Sequence, residues 1–272
     1  MSNDVGGHPI FKAWSGRSNP WGPEDRYSVS FGGEVLADVV SGLDDFLRSD
    51  RWAPMRRTPA VLGCVPWLTD DAVASRLLRF DDVCIVINKP HSPPDREAVR
   101  LQQQGRGFLL DSLPSFEWMA PRVNDQPAVL GPTDAPRGQV FESVRVAGVS
   151  KRSGGGVPPY VHAKMLLLGV IWERDDHPSG YPVTFWFFEP RRLWLGSANF
   201  TYNSRRSLEF GIWSDDRALL DHAKGFLADL LAYSEPFDSE HVTPEPELAP
   251  YDFDDEAMRE YAAELGPDPD DE

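Results

Sequence analysis

Apolar positions recur along this chain with two periods, and the switches between them lay out its elements. Between 34 and 50 they fall at 35, 36, 39, 40, 43, 46 and 47, the spacing of one helical face. The run 59–68 predicts a buried strand, Thr69 then caps a helix over "DDAVASRLLRF", and "DVCIVINK" (82–89) predicts a second buried strand. Strand, helix, strand implies a parallel pair in a covered sheet. "PPDREAVRLQQQG" (93–105) opens on proline and closes on glycine, which predicts a helix. "RGFLLDSL" and "GQVFESVRVAGV" read as strands between Pro- and Gly-rich loops, and 151–159 reads as a flexible loop. Three strand-like runs, 160–172, 182–189 and 193–199, precede a helix over 215–233 with Leu219, Leu220, Ala223, Phe226, Leu227, Leu230 and Leu231 on one face. The pattern predicts an α/β fold, a mixed, largely parallel β-sheet flanked by helices on both faces. This domain spans 34–234, between a loop-rich segment (1–33) and an acidic tail (235–272) that holds a weak helical stripe at 254–265.

Charge changes the picture once it is located. The chain of 272 residues carries a formal net charge of -16, which argues against a nucleic-acid partner. Residues 235–272, however, hold fifteen acidic residues and one basic residue. Subtracting these from 43 and 27 leaves 28 acidic and 26 basic in the body, a net of -2. The body has basic clusters at 51–57, 150–156 and 189–208. The tail reads as a solubilising segment, as a nucleic-acid mimic that occupies a basic cleft, or as a docking helix for a protein partner. Cys64 and Cys84 sit in apolar runs and read as buried thiols of a reducing compartment. The start has no signal-peptide pattern, and the run Met165 to Trp172 is too short to span a bilayer, so a cytoplasmic protein is expected.

One triplet occurs twice: His162-Ala163-Lys164 and His222-Ala223-Lys224. About 0.1 His-x-Lys pairs are expected by chance from six histidines and five lysines in this length. Around His222 the period is helical, so His222 and Lys224 face away from each other and read as a surface pair. Around His162 the period is that of a strand, which puts His162 and Lys164 on one face. "GSANFT" follows at Gly196 to Thr201, and Glu209 heads a further apolar run, "EFGIW".

These residues resemble the HKD signature of the phospholipase D superfamily. His162-x-Lys164, Gly196-Ser197-x-Asn199 and Glu209 match it in order, and "GSANFT…S.EFGIW" is similar to the single-motif bacterial nucleases of that superfamily. The βαβ stretch before the motif also looks like the start of such a domain. Two departures stand out. Gly169 occupies the place of the usual acid five positions after the lysine, with Asp175 or Asp176 as possible substitutes, and the segment before Gly196 is longer.

The resemblance implies a metal-independent, cofactor-free phosphodiesterase. A phosphodiester resists attack and needs a nucleophile, charge neutralisation and an acid for the leaving group. His162 would be the nucleophile, forming a phosphohistidine. Lys164, Asn199 and Ser197 would hold the phosphate, and Gly196 would let the backbone approach closely. Glu209 would fix the imidazole tautomer. One motif per chain implies a homodimer with a composite site, an endonuclease acting on nucleic acid, and an association with restriction or phage defence. No cluster with metal-ligand spacing appears in the sequence. Arg191, Arg192, Arg205 and Arg206 flank "GSANF" and are candidate phosphate-backbone contacts. His91 reads as a loop residue and "TFWFFE" as core. Two alternatives remain: a lipid-acting phospholipase or phosphatidyltransferase, against which stands the lack of an amphipathic basic helix, and an inactive module that only binds nucleic acid or protein.

Overall fold

The computed structural model describes residues 18–19, 27–49, 57–89, 95–109, 112–113, 122–123, 126–127, 140–149, 161–175 and 184–237. The expected loop at 151–159, His91, Asp176 and the acidic segment beyond 237 lie outside them. In chain order the strands and helices are β1 (Ser18–Asn19), β2 (Tyr27–Phe31), α1 (Val35–Arg48), β3 (Arg57–Cys64), α2 (Asp71–Leu77), β4 (Asp82–Lys89), α3 (Arg96–Gln104), β5 (Phe108–Leu109), β6 (Arg122–Val123), β7 (Gln126–Pro127), β8 (Val140–Phe141), β9 (Val144–Val149), β10 (Met165–Asp175), β11 (Thr184–Gly196), β12 (Phe210–Ser214), α4 (Arg217–Tyr233) and β13 (Glu235–Pro236).

Nine strands form one mixed sheet in the order β1-β2-β12-β11-β10-β3-β4-β9-β13. Helices cover both faces. α1, α2 and α3 pack Leu36, Leu43, Phe46, Leu77 and Leu101 against Leu166, Leu168 and Trp194 on one face. α4 packs Leu220, Leu227 and Leu231 against Leu62, Leu167 and Leu193 on the other. Strand alternation divides β10 between these two cores. Cys64 and Cys84 are buried free thiols, and burial pushes each up to about 12. Among the described residues no helix is long and apolar enough to cross a membrane.

The sheet is less parallel than the pattern predicts. Only β3–β4 and β4–β9 run parallel, and the other six pairs are antiparallel. The βαβ reading holds for β3-α2-β4, while β10, β11 and β12 join as antiparallel neighbours. The run from Met165 to Trp172 in β10 is apolar on both sides because helices cover both faces, so composition alone could not separate the two cases.

Four boundaries also shift. The segment read as loop before residue 34 supplies β1 and β2: β2 pairs with β12, and β1 pairs with β2 and forms that edge of the sheet. Its short, serine-rich strands carry little apolar signal. At the opposite edge, Glu235 belongs to the domain: it pairs with β9 and its carboxylate meets the buried Lys89 ammonium at 2.7 Å. Asp70, not Thr69, caps α2 by accepting from the Val73 amide at 3.1 Å. The two strands expected at 182–189 and 193–199 are one, β11. Pro190 lacks an amide hydrogen, which suggests a break, but a bulge absorbs it: Leu168 pairs with Arg192 and Gly169 with Pro190, leaving Arg191 extra.

Candidate active site

The six motif residues arrive from three segments that the sheet brings to one end. The parallel strands β3 and β4 end there, as does β11, while β10 and β12 begin there. The carboxyl end of parallel strands is the usual ligand crevice of an α/β sheet. β10 pairs with β11 from Met165–Leu195 onward, so the Gly196 amide donates to the Lys164 carbonyl at 3.2 Å and the two motif halves are neighbours through their backbones. A side chain at Gly196 would meet the Phe210 carbonyl and the Trp194 ring at 2.6 Å, so only glycine fits the close approach.

His162 and Lys164 do not lie in the ladder, which starts at Met165. They stand on an extended lead-in held by a side chain instead of a strand. The buried Asn88 amide grips the Val161 backbone at both ends: the Val161 N–H donates to Oδ1 at 2.7 Å, and Nδ2 donates to the Val161 carbonyl at 3.0 Å. This clamp replaces a missing strand partner and leaves His162 exposed just beyond. Sequence reasoning missed Asn88, which reads only as the polar end of a buried strand.

Lys164 is 7% exposed, and its ammonium donates to the His162 carbonyl at 2.7 Å and lies 3.4 Å from His162 Nδ1. Burial holds the ammonium below the ordinary lysine value, and the negative charge of Glu209 partly offsets this. Ser197 donates from its hydroxyl to the Glu209 carboxylate and accepts from the Phe210 amide at 3.0 Å. The Ser197 amide donates to the Phe210 carbonyl at 3.0 Å. Glu209 is thus tied to Ser197 and acts electrostatically on Lys164.

Asn199 and Glu209 line a cavity of about 420 Å³ with Trp67, Thr69, Asp95 and Thr201. The Asn199 Oδ1 is buried and has no hydrogen-bond partner among the described residues. That oxygen only accepts, and the hydrogens this amide can offer an anionic ligand are those on Nδ2. The loop that carries it is braced from α2. Thr69 and Asp70 amides donate to the Phe200 carbonyl at 2.7 and 2.8 Å, and Arg205 forks onto the Asp70 carboxylate at 2.6 and 2.9 Å. The guanidinium fork of Arg205 is therefore engaged by Asp70, and that hydrogen bonding raises its already high pKa. Arg206 is exposed on the same turn, while Arg191 and Arg192 line a different cavity farther along β11.

The absent acid has a structural reason. A Cβ at Gly169 would stand 2.4 Å from the Glu189 carbonyl and 2.5 Å from the Phe188 ring, so Phe188 fills the room an acid would need. Asp175 ends β10 ten pairs away from Met165, at the far end of the ladder, and does not replace it. Among the described residues no group of three His, Cys, Asp or Glu side chains could hold a metal.

No family model and no curated protein matches the chain. Among solved structures it is similar to NucT from Helicobacter pylori (14% identity, TM-score 0.41), covering 75% of this chain and 96% of that one. It is also similar to Nuc from Salmonella typhimurium, a phospholipase D family member, at 13% identity and TM-score 0.40, covering 75% and 93%. A third is polyphosphate kinase from Porphyromonas gingivalis at 12% identity and TM-score 0.42, covering 88% and 30%. These are distant likenesses of fold, and the reading of the site stands on its own geometry.

Proposed function

We propose that this chain is a metal-independent phosphodiesterase, a nuclease that cleaves nucleic-acid phosphodiester bonds through His162. The carrying observation is the juxtaposition of an exposed His162 ring with the Lys164 ammonium 3.4 Å away, next to Ser197, Asn199 and Glu209. The ring nitrogen bearing the lone pair attacks phosphorus, a P–N bond forms and a P–O bond breaks. Lys164 and Asn199 bind the non-bridging oxygens, with Ser197 beside them, and Glu209 keeps the partly desolvated Lys164 charged.

The leaving alkoxide needs a proton, and a nucleophilic imidazole that has just formed a P–N bond is no donor for it. We assign that proton to His162 of the partner subunit across a two-fold axis, which then takes a proton from water to hydrolyse the phosphohistidine. One imidazole is neutral and the other protonated at the start, so the rate should follow a bell-shaped pH profile.

The test offers purified full-length protein single- and double-stranded DNA and RNA, and phosphatidylcholine vesicles, all in excess EDTA, with wild type beside His162→Ala. Nucleic-acid turnover by wild type alone is expected. Turnover of the vesicles only, or a strict requirement for a divalent ion, would overturn the proposal.

A further inference from the structure

Two basic clusters that lie far apart in the sequence meet at a second cavity, of about 580 Å³. Arg57 opens β3, Arg191 and Arg192 come from the middle of β11, and Arg217 begins α4. Arg57 is at the opposite end of β3 from the candidate active site, roughly 23 Å away at seven steps of ~3.3 Å each. The two arginines expected beside the reacting phosphate are therefore gathered elsewhere.

Three features make this cavity more than a basic stretch of surface. First, adjacent strand residues normally point to opposite faces, yet Arg191 and Arg192 both line it. The bulge that leaves Arg191 extra in the β10–β11 register permits this, and bulges commonly re-aim side chains at sites. Second, the cations are all arginine, whose planar fork fits phosphate oxygens in pairs. Third, guanidinium groups outnumber carboxylates among the residues that line it. The lining carboxylates are Asp45 and Asp215, and Asp45 is paired at 2.6 Å with Arg48, which is not part of the cavity wall. Arg191 meets Glu189 at 2.8 Å and Arg217 meets Asp221 at 3.4 Å, both in exposed or partly exposed pairs of the kind that contribute little and yield readily to a stronger anion. Four guanidinium groups and two carboxylates line this cavity, a basic lining on a chain of net charge -16.

We infer that this cavity is a second, non-catalytic binding site for phosphate groups of a nucleotide ligand, held by Arg57, Arg191, Arg192 and Arg217. Its volume suits a single nucleotide. The same chemistry could be presented by a free nucleotide or by one residue of a strand. The site does not depend on the catalytic reading.

The experiment titrates full-length His162→Ala protein with inorganic phosphate, with AMP and with a short single-stranded oligonucleotide, and repeats each with Arg192→Glu/Arg217→Glu added. The expected result is at least a tenfold loss of affinity for one of the nucleotide ligands in the charge-reversed protein. If the ligand is the strand, the slope of log K against log salt should also flatten by about 0.7 for each phosphate no longer neutralised. AMP binding identifies a free nucleotide, and binding of the oligonucleotide alone identifies a strand. If charge reversal lowers the melting temperature, Arg192→Gln, which keeps much of the side chain's reach, gives the same comparison in a milder form. Unchanged affinities in both variants would overturn the inference. So would failure of every phosphate ligand while a peptide of residues 238–272 binds and is lost on charge reversal, which would give the cavity to a carboxylate partner. A wild-type protein that cuts nothing would defeat the catalytic proposal and leave this result intact.

Discussion

His162 and Lys164 stand on an extended run where residues two apart share a side, and the lysine ammonium lies 3.4 Å from the imidazole. His222 and Lys224 stand on α4, where two residues turn the chain by about 200°. The first pair is bound by its backbone to Gly196, the second covers a surface face of a helix whose other side packs Leu220, Leu227 and Leu231. The same three letters therefore become a site or a surface according to the period they sit in and what the sheet places beside them.

The largest effect should come from breaking that contrast directly. His162→Ala should lower nuclease kcat on the order of 10⁴-fold or more, whereas His222→Ala should leave it within about twofold and change stability by under roughly 0.5 kcal/mol. Steady-state kinetics and a thermal melt of both variants check this. Lys164→Ala should cost about 10²–10³-fold in kcat, as loss of a group that neutralises developing charge, while Lys224→Ala costs nothing measurable.

Asn88→Ala probes why the first triplet is extended. It leaves the buried Val161 N–H and C=O unpaired, at a cost of on the order of 2 kcal/mol, and loosens His162. Since misplacement by about 1 Å costs roughly 10²-fold, kcat should fall that far with KM little changed, and the bell-shaped pH profile should keep its limbs. A purely structural role would lower the melting temperature without the kcat loss at a temperature where the variant is folded.

The smallest effect concerns pH. Lys164 is needed protonated, and burial lowers its pKa, so the charged form is lost as pH rises through a value below the ordinary lysine one. Glu209 opposes that lowering. Beyond the bell set by the two imidazoles, loss of the Lys164 charge should lower the rate further at higher pH; Glu209→Gln should move that further fall to lower pH, and a shift to higher pH would contradict the assignment. The sign for stability is the reverse of a paired lysine: the folded state disfavours the charged form, so the destabilisation from burying Lys164 is present below its folded pKa and relieved as pH rises through that value.

Much of this was legible along the chain. The helices over α1, α2 and α4, the βαβ unit and the shared side of His162 and Lys164 follow from period, which is a local property, while Gly196, Ser197 and Glu209 are joined to them only by the resemblance to the HKD signature. What escaped was set by partners far away in the chain. Asn88 works only because Val161, 73 residues later, lacks a strand neighbour. Arg205 looks like a phosphate contact until Asp70, 135 residues earlier, takes its fork. β1 and β2 are too short and polar to show as strands until β12 offers an edge. Pro190 looks like a stop, and only the pairing with Gly169 turns it into a bulge. Gly169 itself looks like a lost acid, and the Phe188 ring explains it.

The central claim is that His162 forms a covalent bond to the phosphorus of its substrate. Acid would hydrolyse such a bond, so a reaction of wild-type protein with a nucleic-acid substrate in EDTA should be quenched under alkaline denaturing conditions and digested for mass spectrometry. The account predicts an acid-labile nucleotide adduct on the peptide carrying His162, absent from His162→Ala and from the peptide carrying His222. Turnover that persists in His162→Ala, or an adduct located on another residue, would contradict it.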